Sequence, residues 1–337
     1  MENHIEKFID KLKVMQYSDD YINLCIEYAE RLTDNNLPII FDIEHFSFLV
    51  GLEKEYINYI IHKKKHFYIE FTIKKRKGGN RLLSIPSKKL KYIQRWILDE
   101  ILYKIPVNEH AKGYIPNKSI VDNAKPHVKK KCIIKLDIKD FFDNIDYNRV
   151  FRIFYYYGYT KNMSYKLAEL CTYENKLPQG APTSPYISNI VCLKMDKRFS
   201  KLCNKFNATY TRYADDITIS GDNSITKYFK AYVRIIESEG FEVNAEKVIS
   251  IKGNRTKRVT GIVVNEKLSV GREMKRKLRQ QIYYCKKYGV RDHLKKIECE
   301  KSFYKEHLYG IAYYIKSVEP IDGEKFLEEL DEIMWEY

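Results

Sequence analysis

The sequence lacks the features that mark several common classes of protein. It has no CxxC pair and an odd number of cysteines, seven in all, so neither a disulfide framework nor a structural zinc site is indicated. We expect buried thiols of a reducing cytoplasm. No apolar run approaches the roughly 20 residues that cross a bilayer, and the polar segment 1–6 does not resemble a signal peptide. A membrane protein is therefore not expected.

Acidic residues are also in deficit. The chain has 45 Asp and Glu against 60 Lys and Arg, which gives a formal net charge of +15. A charge of this size indicates a polyanionic partner. A membrane surface is an alternative, but the cations are spread over several segments and interleaved with aromatics. Some of the 29 tyrosines offer rings that can stack on bases, although most are expected at the edge of the core. Nucleic acid is the partner we expect.

The pattern along the chain predicts more than one subdomain in its 337 residues. Residues 1 to about 62 keep helical spacing and suggest no chemistry. Segment 67–86 reads as two strands joined by a basic turn at 74–81. Such a hairpin can fold over a triphosphate, or it can be an edge hairpin protected by lysines. From residue 271 onward the chain is again helical and very basic.

Two adjacent carboxylates, Asp215 and Asp216, lie between two strand patterns, so a hairpin turn is predicted there. Carboxylates that are forced together repel each other, and a divalent cation relieves that repulsion. A solvated turn is the alternative, because Asp is a common turn residue. A third carboxylate, Asp137, ends the buried-strand pattern of residues 131–137. That position is typical of a metal ligand in a palm-like sheet.

Five blocks in this order resemble a reverse transcriptase. They are the basic hairpin, the strand ending at Asp137, Pro178-Gln179-Gly180, Tyr213-Ala214-Asp215-Asp216, and Lys247. More narrowly, the chain resembles a bacterial retron reverse transcriptase. Residues 123–127 fit the NAxxH segment of that family, and residues 259–261 fit its VTG signature.

The resemblance implies an α+β fold of the right-hand polymerase type. The N-terminal helical extension would cover residues 1–62, and the fingers would follow at 63–130. The palm, with an antiparallel sheet, would span 131–265, with some fingers residues interleaved around 147–180. A helical thumb would take 266–337.

The resemblance also implies an RNA-directed DNA polymerase with two Mg²⁺ ions. The implied catalytic residues are Asp137, Asp215, Asp216 and Lys247, with the backbone of Ile138 joining the three aspartates as metal ligands. The implied nucleotide contacts are Lys75, Arg76, Arg81, Asp140, Phe141, Phe142, Gln179, Gly180 and Tyr213. The implied RNA contacts are Asn123, His127, Val259, Thr260, Gly261, Arg272, Arg276 and Arg279.

For three of these residues, the predicted role can be stated as a specific interaction or has a purely structural alternative. Phe142 would clash with a ribose 2′-hydroxyl and so select deoxynucleotides, whereas core packing is the better reading of Phe141. Lys247 would protonate the departing pyrophosphate, although a lone lysine is also found as a solvated surface residue.

A retron enzyme copies part of its own structured noncoding RNA, from deoxynucleoside triphosphates, into a DNA product. The resemblance adds priming from a guanosine 2′-hydroxyl, a branched RNA–DNA product and anti-phage defence with an effector protein. An intron-encoded or abortive-infection reverse transcriptase is disfavoured, because the chain carries both retron-type segments. A non-catalytic RNA-binding scaffold is disfavoured by three clustered acids that a pure binder does not need.

Overall fold

The computed structural model describes Asp10 and residues 13–74, 78–298 and 303–335. Lys75 and Arg76, two predicted triphosphate contacts, lie outside the described residues. The described chain packs as two compact units. The first unit comprises Met1–Tyr114, Ile138–Arg198 and Ile235–Glu242, and the second comprises Ile115–Asp137, Phe199–Arg234 and Val243–Tyr337.

Helices outnumber strands among the regular elements, and each kind is numbered in chain order. The helices are α1 (Asp19–Asp34), α2 (Ile43–Val50), α3 (Lys54–His62), α4 (Lys88–Glu100), α5 (Ile120–Ala124), α6 (Tyr147–Tyr156), α7 (Lys161–Cys171), α8 (Ser184–Val191), α9 (Leu193–Lys205), α10 (Phe229–Ser238), α11 (Arg272–Tyr288), α12 (Val290–Lys296), α13 (Tyr304–Val318) and α14 (Pro320–Asp331). The strands are β1 (Tyr68–Lys74), β2 (Asn80–Pro86), β3 (Cys132–Asp137), β4 (Thr209–Tyr213), β5 (Asp216–Gly221), β6 (Ile249–Lys252), β7 (Arg258–Val259) and β8 (Ile262–Val263).

Among the described residues, the first unit is mainly helical and contains one β-hairpin, and several of its helices begin at residues that the sequence marks clearly. Ser18 caps α1 by accepting a hydrogen bond from the Tyr21 N–H, and Asp42 caps α2 through the His45 N–H. Strands β1 and β2 pair from Tyr68 opposite Pro86 to Lys74 opposite Asn80. The helical pattern predicted up to residue 62 is thus confirmed for the described residues, as are the two strands that flank the basic turn.

The second unit contains a four-stranded antiparallel sheet in the order β4-β5-β3-β6. Strand β3 is central, and five of its six residues are buried. Helices α11 to α14 form a helical C-terminal segment around a core that includes Leu278, Ile282, Leu308, Ile315 and Phe326. Antiparallel strands with segregated helices confirm the α+β class.

One predicted helix was wrong. The pattern from residue 184 to about 206 predicts a single helix with Ser184 as its N-cap, but α8 ends at Val191 and α9 begins at Leu193. Thr183 occupies the N-cap position, without a side-chain capping bond. Buried positions such as Ile187 and Phe199 keep helical spacing across the break, so periodicity could not reveal it.

The boundaries that would divide the chain into extension, fingers, palm and thumb stay a prediction. Within the described ranges, no helix is both long and apolar enough to span a bilayer.

A buried histidine ties α5 and the turn after it to the sheet. The ring nitrogens of His127 lie 2.6 Å from Ser220 Oγ and 2.7 Å from Thr211 Oγ1, on β5 and β4. Burial, and then the charges of Lys130 and Lys135, lower the pKa of His127 to about 3. The imidazole therefore stays neutral and acts as a hydrogen-bonding link between two strands.

We expect His127→Gln to make the free energy of unfolding less dependent on pH below pH 7. The unfolded histidine takes up a proton below its ordinary pKa of about 6.5, whereas the folded one does so only near 3. As the pH falls from about 6.5 toward 3, this residue should lower the free energy of unfolding of the wild type by up to about 1.4 kcal/mol per pH unit. The variant should start about 1–3 kcal/mol less stable at pH 7, because its hydrogen bonds are imperfect.

Urea unfolding at pH 7 and pH 5 measures both quantities. Equal pH dependence in wild type and variant would contradict a neutral buried His127.

Candidate active site

The sheet register brings two carboxylates directly opposite each other at the end of β3 and β5. Asp137 pairs with Asp216, and Asp216 also pairs with Tyr213 across the β4–β5 hairpin. Residues opposite each other in an antiparallel pair point to the same face, and like charges there repel. Asp215 lies in the connecting turn beside them. The predicted turn of the hairpin is therefore confirmed, and it gathers the three acids in the second unit.

Asp215 carries the electrostatic signature of this crowding. Burial, and then the negative charges of Asp216 and Asp137, raise its pKa to about 6. A carboxyl with a pKa raised by burial and by like charges indicates negative charge that the protein does not neutralise fully by itself. Perturbed carboxyl groups of this kind cluster at functional sites.

Lys247 supplies the nearest positive charge. Its ammonium donates to both oxygens of Asp137, at 2.8 Å each. The Asp137 side chain is 8% exposed and that of Lys247 is 51% exposed. Burial works against the charge of Lys247, but its hydrogen bonds to Asp137 and the neighbouring carboxylates raise its pKa. Lys247 is thus an intramolecular counter-ion of the acidic cluster.

Two residues that sequence reasoning missed hold this geometry in place. Arg212 is fully buried, and its Nη1 donates to the Ala214 carbonyl at 3.0 Å, which braces the turn where Ala214 adopts a φ of 58°. The Asn244 N–H donates to the Asp137 carbonyl at 2.8 Å. An arginine in a strand pattern carries no signal of burial, and Asn244 looks like an ordinary loop residue.

The acidic cluster fits a hard divalent cation, which prefers carboxylate oxygens. No set of three or more His, Cys, Asp or Glu side chains among the described residues forms a ready-made metal site. The ammonium of Lys247 lies 2.8 Å from both oxygens of Asp137, so those ligand atoms are engaged in an ion pair. Asp137, Asp215 and Asp216 are the residues that would hold a divalent cation, with the Ile138 carbonyl next in the chain.

The Pro178-Gln179-Gly180 loop is fastened to the basic hairpin within the first unit. The Ser84 N–H, on β2, donates to the Gln179 carbonyl at 2.9 Å. Gly180 has a φ of 137°, and a Cβ at this residue would lie 2.8 Å from the Ser84 carbonyl oxygen. Only glycine permits this approach. Ser84 was not predicted as a site residue, since its bond uses backbone atoms alone.

Phe141 and Phe142 differ in burial. Phe141 is in the core against Phe241, with ring centroids 5.6 Å apart, as expected. Phe142 is half-buried and lies 6.2 Å from the ring of Tyr114. Asp140, just before them, is exposed and has a φ of 44°. The turn that follows β3 therefore leaves one aromatic ring partly open.

The other predicted nucleotide contacts that lie among the described residues occupy two places. Arg81 is exposed on β2, opposite Ile73. Tyr213 is half-buried at the end of β4, opposite Asp216.

The residues predicted to contact RNA fall into a buried and an exposed set. Asn123, His127 and Val259 are buried, so they can affect RNA binding only by positioning the residues that they contact. Thr260 and Gly261 form the β7–β8 turn, with φ of 45° and 87°.

The exposed set lies on α11 and comprises Arg272, Arg276 and Arg279. The guanidinium of Arg279 lies 5.5 Å from the ring centre of Phe326. Lys275, on the same helix, is engaged by Glu319 and Asp322 at 2.9 Å each.

Comparison with known proteins agrees with this geometry. Residues 73–264 match the family described as reverse transcriptase (RNA-dependent DNA polymerase). The retron Ec86 reverse transcriptase of Escherichia coli is 33% identical over 327 residues, or 95% of this chain and 96% of that protein. The retron Mx65 reverse transcriptase of Myxococcus xanthus is 34% identical, over 82% of this chain and 67% of that protein.

Among solved structures, telomerase from Candida albicans aligns at 11% identity with a TM-score of 0.46, over 78% of this chain and 62% of that chain. That likeness is too low to support an argument.

The family match and the acidic end of an antiparallel sheet define the chain as an RNA-directed DNA polymerase, which uses an RNA template. Within that class, the chain belongs to the retron reverse transcriptases, as the similarity over nearly its full length establishes.

We expect Gly180→Ala to impair nucleotide binding by forcing β2 away from the Gln179 loop. The added methyl group meets a backbone carbonyl and demands a φ that alanine rarely adopts. The KM for deoxynucleotide should rise about tenfold, since a misplacement on the order of 1 Å is costly.

Gly310→Ala is the matched control, because its Cβ would meet nothing within 4 Å. Steady-state extension of an annealed primer measures both variants. If Gly180→Ala behaved like Gly310→Ala, the close approach to Ser84 would have no bearing on the nucleotide site.

Proposed function

We propose that the protein polymerises deoxynucleoside triphosphates on an RNA template at the cluster of Asp137, Asp215 and Asp216, with two Mg²⁺ ions. The strand register that sets Asp137 opposite Asp216, with Lys247 as the counter-ion, carries this proposal. Bound divalent metal supplies activation of a 3′-hydroxyl and charge stabilisation during phosphoryl transfer. The chain's own contribution is to hold the three carboxylates in register.

Lys247 has a second role in this proposal. Its ammonium is protonated and held at Asp137 by two hydrogen bonds. A protonated amine at this position can give its proton to the departing pyrophosphate, which makes it a general acid. Its exposure of 51% leaves the long side chain free to turn toward a phosphate.

In the nucleotide pocket, Phe142 excludes the 2′-hydroxyl, Gln179 lines the base pair and Arg81 contacts the triphosphate. Support comes from the partly open ring of Phe142 and the exposed guanidinium of Arg81. Backbone amides near Asp140 and Phe141 would face the triphosphate at the tight turn.

Phe142→Val should raise ribonucleotide incorporation relative to deoxynucleotide by about tenfold or more, because it opens space at C2′. Phe141→Val, in the core, is the control and should lower stability without this change. Single-nucleotide extension measures the ratio. Unchanged discrimination in Phe142→Val would mean that this ring serves packing alone.

We further propose the retron-type reaction in full. The enzyme starts on its cognate noncoding RNA at a guanosine 2′-hydroxyl, makes branched RNA–DNA and acts with an effector protein in anti-phage defence. The reaction would take place in the cytoplasm, where the six buried cysteines among the described residues would remain reduced. Membership of the retron family supports this proposal.

Asp215→Asn tests the catalytic assignment. It should lower DNA synthesis in Mg²⁺ by roughly 10³-fold or more, because several kcal/mol of metal-dependent stabilisation are lost. RNA binding should persist, since the shape is unchanged. The unfolding temperature in EDTA should not fall, because a repelled, buried carboxylate becomes neutral. Near-normal synthesis by the folded variant would refute the assignment.

Replacing Arg272, Arg276 and Arg279 together by Ala tests how the cognate RNA is selected. These exposed side chains recur four and three residues apart on α11, so one helix face presents them. If this face grips a stem-loop, self-primed synthesis on the cognate RNA should be lost. Extension of an annealed DNA primer on an unrelated template should survive.

Lys277→Ala with Lys287→Ala is the control, on other positions of α11. A parallel fall of both activities in the triple arginine variant would identify the face as a general duplex clamp instead.

A further inference from the structure

A basic cleft lies in the first unit, and most of its lining precedes the part of the chain that matches the reverse transcriptase family. Its volume is about 330 Å³, and it is lined by Ile61, His62, Lys63, Lys64, Lys65, His66 and Glu169. The family match begins at residue 73, so six of these residues precede it and Glu169 lies within it. None of the lining residues belongs to the predicted catalytic motifs.

The one acidic residue of the lining is already engaged. Glu169 forms an ion pair with Lys64, and both side chains are about one-fifth exposed. The ammonium of Lys64 also donates to the Thr172 carbonyl at 3.0 Å. Lys64 is thus an anchor that joins the segment to the end of α7, and it is not available to a ligand.

Lys63 and Lys65 are different, since both are exposed and neither forms an ion pair within the described part of the chain. Because Glu169 is already paired with Lys64, Lys63 and Lys65 leave the cleft with excess positive charge. Cations that are gathered in one open cleft raise the local concentration of anions more than the same charges scattered over the surface do.

The backbone that carries these cations is fixed. Phe67, next to the cleft, is buried and receives Tyr56 and Tyr59 edge-on, with ring centroids 6.0 and 5.6 Å away. The Phe67 carbonyl accepts from the Ser87 N–H at 2.7 Å, and the Lys63 N–H donates to the Tyr59 carbonyl at 2.9 Å. A preorganised site loses less entropy on binding.

We propose that this cleft binds phosphate groups of the structured part of the cognate RNA, outside the primer–template duplex. Lysine ammonium groups bind phosphate as point charges, and the cleft has room for more than one phosphate-sized group. The exposed ring of Tyr59 stands one helical turn before His62, where a base can stack. The inference rests on the proposed binding of a cognate structured RNA.

The test compares Lys63→Ala/Lys65→Ala with Lys89→Ala/Lys91→Ala in the full-length protein. Both double variants remove two exposed charges from the first unit, but the control pair lies on α4 and does not line the cleft. The probe is the RNA that co-purifies with the wild type, transcribed in vitro. Its affinity is measured over a range of KCl concentrations, beside extension of an annealed primer on an unrelated RNA.

The cleft variant should bind the co-purifying RNA about tenfold or more weakly. The slope of log K against log salt concentration should also become smaller by about one to two, because each phosphate contact contributes about 0.7–0.9 to that slope. Primer extension should be unchanged. Bound RNA should also protect Lys63 and Lys65, but not Lys89 and Lys91, from acetylation by an amine-reactive reagent.

Unchanged affinity and slope, equal losses in the control pair, or acetylation of Lys63 and Lys65 at the same rate with and without RNA would each overturn the inference. Failure of the broader proposal has a different signature, in which the wild type itself shows no preference for the co-purifying RNA over an unrelated hairpin.

Discussion

Repulsion between carboxylates at the end of the central sheet is the constraint on which the rest of the second unit depends. Asp137 and Asp216 are opposed by strand register, so a slip by one residue would turn one of them to the other face. The pairing therefore has to be specified firmly. Lys247 offsets part of the negative charge, and the raised pKa of Asp215 shows that an excess remains. A divalent cation can neutralise that excess negative charge.

Buried polar side chains hold the strands against this repulsion, and both retron-type segments take part. Thr260, in the VTG turn, donates to the carbonyl of Ile120 at the start of α5. His127, three residues after the end of α5, links β4 to β5. Both segments thus contact one short helix, α5, or the turn that follows it, next to the β4–β5 hairpin. A neutral histidine suits this place, because a charged one would add an uncompensated buried charge.

The sequence predicted what depends on short-range pattern. Local alternation, turn residues and spacing predict both hairpins and the acids at the β4–β5 turn. They also predict the basic C-terminal helices. Features that depend on distant partners could not be predicted. The Ser84–Gln179 bond joins backbone groups far apart in the chain, and the break at Cys192 leaves helical spacing intact. Likewise, a sequence motif does not show that Asn123 and Val259 are buried.

The net charge of +15 divides into cations that hold the fold and cations that remain for a partner. Lys64 and Lys275 are each less than one-fifth exposed and are paired with acids, so they fasten one element to another. Their neighbours Lys63 and Arg276 are exposed. An ion pair that anchors a segment also orients the cations beside it, because the backbone between them can no longer move freely. Paired and exposed cations in the same segment therefore act together: the paired cations fix the position in which the exposed ones are presented to solvent.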